Sequence, residues 1–122
     1  MGKITTEEVS NALQIVLSTI SKCKKQQPKF LEGSSSHTLL KNRIKAMYIS
    51  KALLTKDPEI IMYSGEDLYQ ALKPVESIIS KCESGQRKYS SEAPLYKRFQ
   101  KIIDAMKVSK GMIIEEIDKR VR

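Results

Sequence analysis

Hydroxyl and cationic side chains gather at two places where this sequence predicts a loop leading into a helix. The first is the segment Gly33 to Thr38, GSSSHT, followed by Lys41 and Arg43. Free backbone N–H groups at a helix start bind anions, and nearby hydroxyls and cations add to such a site. The pattern predicts a phosphate site that lacks the P-loop motif, although serines before helices often serve only as caps. The second place has serines and then cations: Ser90, Ser91, Lys97 and Arg98.

An aromatic residue follows a lysine at both places, in the shared pattern Gln-x-Lys-aromatic. The two pairs are Lys29 with Phe30 and Lys88 with Tyr89. Aromatic faces beside cations stack on bases in single-strand binders, but an aromatic residue here could instead plug the end of a helical bundle. The predicted ligand-binding set is Lys29, Phe30, Ser34, Ser35, Ser36, His37, Lys41, Arg43, Lys88, Tyr89, Lys97 and Arg98.

The sequence contains no set of residues with the spacing of a catalytic or metal site. His37 is the single histidine, and no cysteine, serine and acid combination resembles a nucleophilic site. A lone histidine at a helix start is more often a solvated loop residue. Cys23 and Cys82 are not part of a CxxC pair, so buried free thiols are predicted in preference to a metal site. We therefore expect a binding protein that is not an enzyme and needs no cofactor.

A tandem duplication positions these residues. The stretch EEVSNALQIVLSTISKC at 7–23 recurs as EDLYQALKPVESIISKC at 66–82, and the same offset continues through the rest of each half without a gap. A chain of 122 residues is too short for two independent cores, so the halves, 5–56 and 64–120, are expected to share one. We predict a single domain spanning 1–122.

Each half predicts two helices. Apolar residues step by four and three through the first helix of each half, and the second helices are expected to begin around His37 and Pro94. We predict an all-α four-helix bundle built from two tandem helical hairpins with pseudo-twofold symmetry. Pro74 should kink or restart the third helix, since proline lacks an N–H. Two hydroxyl and carboxylate pairs have capping-box spacing: Thr5 with Glu8, and Ser64 with Asp67.

This topology places the two intra-hairpin loops, 24–37 and 83–94, at one end of the bundle. Helix dipoles favour bases in last turns but disfavour those in first turns, such as Lys41, Lys97 and Arg98. The dipole therefore does not explain the whole charge pattern, and a basic binding surface is predicted at this end. Ten cations lie there against three acids, Glu32, Glu83 and Glu92: Lys22, Lys24, Lys25, Lys29, Lys41, Lys81, Arg87, Lys88, Lys97 and Arg98.

The overall charge and the apolar content limit the kinds of partner that this protein can have. A net charge of +8 favours an anionic partner without identifying it. No stretch approaches the roughly 20 apolar residues of a membrane span, so we expect a cytoplasmic protein with no membrane partner. The second helix has more apolar residues than one buried face needs, and the additional ones are Tyr48, Ile49 and Ala52. Together with the linker at 60–63, they suggest a homodimer. A broadly buried helix would explain the same surplus.

The runs HTLLKNRIKAMYISKALL at 37–54 and LYKRFQKIIDAMKVSKGMI at 95–113 resemble small uncharacterised helical proteins of low-GC Gram-positive bacteria and their phages. That resemblance covers both halves and implies a counter-defence or immunity role, without any catalytic motif. The chain is also similar in size and helix count to bacteriocin immunity proteins, which are four-helix bundles that act by protein contact.

These observations lead to two hypotheses. In the first, a non-enzymatic protein captures a phosphate-bearing ligand at its basic loop end. The ligand would be a nucleotide signal, sequestered in phage counter-defence, or a nucleic acid. In the second, the chain is an inhibitor or immunity protein that works through protein contact, using the apolar surplus at Tyr48, Ile49 and Ala52.

Overall fold

A computed structural model describes residues 4–121 and contains four α-helices: α1 (Thr6–Gln26), α2 (Ser35–Leu54), α3 (Gly65–Gln86) and α4 (Pro94–Arg120). Short 3₁₀ turns, Gln27–Lys29 and Pro58–Met62, follow α1 and α2. Residues 4–121 contain no β-strand. The predicted all-α four-helix bundle is confirmed.

The helix starts follow the duplication. Thr6 and Gly65 begin α1 and α3, while Ser35 and Pro94 begin α2 and α4, so both pairs are 59 positions apart. The prediction for α2 was two residues late, because Ser34 rather than a later residue serves as its N-cap. The third helix does not restart at Pro74, since α3 continues through it.

The helices form a ring in which each hairpin packs against the other. α1 contacts α2 and α4, and α3 contacts the same two helices. α2 and α4 also meet across the centre, whereas in the described chain no Cα of α1 lies within 8 Å of one in α3. Met47 of α2 and Met106 of α4, which occupy equivalent repeat positions, are both fully buried. Full burial of a methionine contributes roughly 1.5–3 kcal/mol, so these two help to hold the hairpins together.

Central placement of α2 explains its apolar surplus. Ile49 and Ala52 are buried in the core of the chain, and Tyr48 is partly buried, with the Lys24 Nζ atom 4.9 Å from its ring centroid. A helix with three neighbours needs a broad apolar surface. Tyr48, Ile49 and Ala52 are therefore accounted for within one chain, as the broadly buried alternative proposed, whereas Ile61 and Met62 of the linker remain exposed.

Both predicted capping boxes are present. The Thr5 hydroxyl accepts a hydrogen bond from the Glu8 N–H and the Ser64 hydroxyl accepts one from the Asp67 N–H, while each carboxylate accepts one from its cap residue. These bonds satisfy N–H groups that a helix start leaves without partners.

Asp67 gives the start of α3 a pH dependence. The hydrogen bond from Lys45, at 2.7 Å, and that from the Ser64 N–H lower the pKa of this carboxyl to about 2. Its contribution to stability is therefore present above the ordinary pKa of 3.8 and is lost as the pH falls through about 2. We expect Asp67→Asn to lower the unfolding temperature at pH 7 and to match the wild type near pH 2. Thermal unfolding between these limits tests this, with the exposed Glu83→Gln as control; a constant difference would contradict it.

Gly85 of α3 leaves room for the ring of Phe99 on α4. A Cβ atom at Gly85 would lie 2.8 Å from the Phe99 Cζ atom. In the first repeat the equivalent residues are Gln26 and Leu40, a larger residue opposite a smaller one. The two hairpins thus fill the same place with different pairs.

We expect Gly85→Ala to destabilise the protein by about 1–2 kcal/mol, because overpacking outweighs the better helix propensity of alanine. In a Phe99→Leu background the same change should become neutral or stabilising. Urea unfolding of the four proteins in this cycle measures the coupling. Additive effects of the two substitutions would show that the ring and the glycine are not matched.

Candidate anion-binding surface

Contacts between the hairpins bring the two loops to one end of the bundle. Lys22, near the end of α1, lines a cleft together with Arg98 and Lys101 from the first turns of α4. Burial raises the pKa of the Cys23 thiol on α1 and of the Cys82 thiol on α3, and Arg43 of α2 lies close enough to both for its charge to oppose that rise. The end of the bundle formed by the C-termini of α1 and α3 and the N-termini of α2 and α4 is called the loop end below.

The cleft between α1 and α4, called the basic cleft, has a volume of about 130 Å³ and no carboxylate in its lining. Lys22 is one turn beyond Ser18, and Lys101 is three residues beyond Arg98, so helical spacing directs these side chains to one place. The Thr19 hydroxyl already donates to the Ile15 carbonyl at 2.8 Å. The basic cleft therefore offers three cations and the Ser18 hydroxyl to an anion.

The cations of the loop end form no ion pair with the acidic side chains of the described residues. The four ion pairs among residues 4–121 use Lys45, Lys110, Lys119 and Arg120. None of these is at the loop end. Arg98 also sits in the first turns of α4, where the helix dipole disfavours a cation. An electrostatic cost with no internal partner is typical of a site that receives an external anion.

The predicted serine segment serves partly as a cap. The Ser34 hydroxyl accepts a hydrogen bond from the His37 N–H at 3.2 Å, which is the structural alternative given for it. Ser35 lines a groove between α2 and α3, while Ser36 is exposed and His37 half-buried. Lys41, although exposed, does not line that groove. The segment and its predicted cation are therefore not joined in one pocket.

Phe30 and Tyr89 adopt the same local turn in the two hairpins. The N–H of Phe30 donates to the Gln27 carbonyl, and that of Tyr89 donates to the Gln86 carbonyl. Their side chains are 40 % and 42 % exposed, so neither is fully used to plug the bundle. Both rings present accessible surface at the loop end, where Lys29, Lys88 and Lys97 are also exposed.

Arg43 differs from its prediction as a phosphate ligand. Its equivalent in the second repeat is Ile102, and its Nε and Nη2 atoms are buried without a hydrogen-bond partner. Its guanidinium is turned inward, so those two nitrogens cannot meet a ligand at the surface. Burial raises the pKa of the Cys23 and Cys82 thiols, and the positive charge of Arg43 opposes that rise.

Cys23 and Cys82 are buried free thiols, as predicted. They belong to α1 and α3, which have no Cα atoms within 8 Å of each other in the described chain. A disulfide needs Cα atoms about 4.4–6.8 Å apart, so these two cysteines cannot pair within one folded molecule.

A groove between α2 and α3 was not predicted. It has a volume of about 760 Å³ and is here called the α2–α3 groove. No local sequence pattern could have revealed it, because it depends on how α2 and α3 pack together. The groove is lined by Gly33, Ser35, Thr38, Leu39, Asn42, Lys45, Ala46, Ile49, Asp67, Gln70, Ala71, Lys73, Pro74 and Ser77.

Among residues 4–121, no three or more histidine, cysteine or acidic side chains are placed to hold a metal ion. None of the four helices combines the length and the apolar content needed to cross a membrane.

Comparison with known proteins finds no match for this chain. No protein-family model matches the chain, and no curated protein or solved structure shows significant similarity to it.

Proposed function

We propose that this protein captures a phosphate-bearing ligand at its loop end without performing chemistry on it, and that the ligand is single-stranded nucleic acid. The observation that carries the proposal is the basic cleft, in which Lys22, Arg98 and Lys101 meet with no carboxylate between them. Phosphate is the anion that such a cluster fits best, since each cation neutralises one charge.

The size of the basic cleft favours a strand over a free nucleotide. At about 130 Å³ it is smaller than the roughly 300–1,000 Å³ of pockets that enclose whole ligands, so it holds one charged group and leaves the remainder outside. Exposed cations and the half-exposed rings of Phe30 and Tyr89 also lie at the loop end. A strand supplies phosphates to several cations and bases to the rings.

The biological setting that we propose is phage counter-defence, which rests on the resemblance of 37–54 and 95–113 to small phage-associated helical proteins. A protein without catalytic residues can act in counter-defence by sequestering a nucleic acid or a nucleotide signal. A nucleotide signal remains the narrower form of the first hypothesis.

The proposal predicts a steep salt dependence. Each phosphate neutralised on a single strand contributes a slope of about −0.7 to a plot of log affinity against log salt, so three contacts give about −2. Fluorescence anisotropy of a labelled oligothymidylate, titrated at increasing salt, measures this slope. A flat response would reject nucleic acid, and equal displacement by a mononucleotide at the same phosphate concentration would favour the nucleotide signal.

The protein-contact hypothesis now depends on the linker. Ile61 and Met62 are 79 % and 80 % exposed, and Arg120 holds the linker by donating to the Ile60 and Tyr63 carbonyls. A fixed loop with two apolar side chains in solvent is a contact surface for a partner protein or for a second copy. Native mass spectrometry of the wild type and of Met62→Asp would detect a homodimer that uses it.

A further inference from the structure

The α2–α3 groove and the basic cleft occupy equivalent interfaces between the hairpins. Leu39 and Asn42 of the groove precede Arg98 and Lys101 of the cleft by 59 positions, and Pro74 and Ser77 follow Ile15 and Ser18 by the same offset. The duplication has therefore produced two depressions from one kind of contact. They have diverged in size and in charge.

Pro74 marks the difference between the two depressions, because the basic cleft has Ile15 at the equivalent position, whereas Ala46 and Ala71 correspond to the alanines Ala105 and Ala12. The proline side chain is smaller than that of isoleucine, so Pro74 fills less of the space between the hairpins. Ala46 and Ala71 close the bottom of the groove with little side-chain volume. Its volume of about 760 Å³ falls within the range of pockets that enclose small organic ligands.

The charges of the groove nearly cancel. Lys45 and Asp67 form an ion pair at 2.7 Å, whereas Lys73 forms none in the described chain. The remaining lining is uncharged, with hydroxyl and amide groups along the rim and apolar groups at the bottom. One free cation beside apolar surface suits a ligand with one negative charge, unlike the three cations of the basic cleft.

We propose that the α2–α3 groove is a second binding site, for a small organic monoanion with an apolar body. The apolar body lies against Ala46, Ala71 and Pro74, and the anionic group lies toward Lys73. Asn42 and Thr38 supply hydrogen bonds at the rim. The site is independent of the nucleic-acid proposal, because it uses different residues on the other inter-hairpin face.

A fluorescent monoanion tests this directly. The probe is 8-anilinonaphthalene-1-sulfonate, which has an aromatic body and one sulfonate and brightens in apolar surroundings. We expect the native protein to brighten it, Asn42→Trp to fill the groove and weaken binding about tenfold, and Lys73→Glu to weaken it about as much. Uncharged N-phenyl-1-naphthylamine should respond less than about threefold to Lys73→Glu.

Arg98→Glu in the basic cleft is the matched control and should leave probe affinity within about twofold. Absence of brightening, or brightening unchanged by Asn42→Trp, would overturn the proposal, as would loss of binding in the Arg98→Glu control. An NMR titration of the wild type with the probe is a second test, and its amide chemical shifts do not depend on whether a variant folds. Probe-induced shifts at Thr38, Asn42 and Gln70 would support the site, and shifts confined to Ile61 and Met62 or to the basic cleft would reject it.

Discussion

Reversing the charges of Lys22 and Arg98 together is expected to raise the Kd for single-stranded nucleic acid about 100-fold or more at moderate salt. Both side chains line the basic cleft, one from each hairpin, and neither takes part in an ion pair of the described chain. Hydrogen bonds to charged groups contribute about 1.5–3 kcal/mol each, so loss of two gives at least the stated factor.

The double variant should also bind with a shallower salt dependence. Two fewer neutralised phosphates reduce the magnitude of the log–log slope by about 1.4 on a single strand. Anisotropy titrations at several salt concentrations give both the Kd and the slope. Measuring both the Kd and the slope distinguishes a lost phosphate contact from a structural change elsewhere in the protein. A distant structural change would weaken binding without changing the slope.

Lys107→Glu with Lys119→Glu is the matched control. It makes the same change in net charge on the half of α4 beyond the basic cleft, and both side chains are exposed. Its Kd should rise by less than about threefold at moderate salt, because screening limits long-range effects. If the control loses as much affinity as the cleft variant, binding follows net charge and the basic cleft is not the site.

The fold was predictable because its signals are local and occur twice. Capping boxes at Thr5 and Ser64 and two copies of one apolar stripe give helix starts and topology without any knowledge of tertiary contacts. The gathering of Lys22 and Arg98 at one end also followed, since it depends only on hairpin direction.

The details of the site depend on how the hairpins cross, which no local pattern records. The serine-rich helix start before Arg43 predicts a surface position for this residue. Arg43 is instead the repeat equivalent of Ile102, and its side chain points into the bundle. The α2–α3 groove forms where Pro74 of α3 meets the alanine-lined face of α2. That meeting is visible only after α2 and α3 are placed side by side.

Replacing Arg43 with methionine is expected to stabilise the protein by about 1–3 kcal/mol, because buried donors without partners carry a desolvation cost. The Nε and Nη2 atoms of Arg43 are buried without partners, whereas the second repeat places Ile102 at the equivalent position. Methionine keeps an unbranched side chain that can fill the space of the arginine stem, and it removes the buried charge. Urea unfolding of the wild type and of Arg43→Met measures the difference.

Lys41→Met removes the same charge from an exposed position on the same helix and should change stability by less than about 0.5 kcal/mol. The thiols supply an independent measurement, because Arg43 lowers the pKa of Cys23 and Cys82. Without it their pKa should rise further, and alkylation of the two cysteines in the native protein should slow at a given pH. A destabilised Arg43→Met with unchanged thiol reactivity would mean that the guanidinium has a stabilising partner and does not face the cysteines.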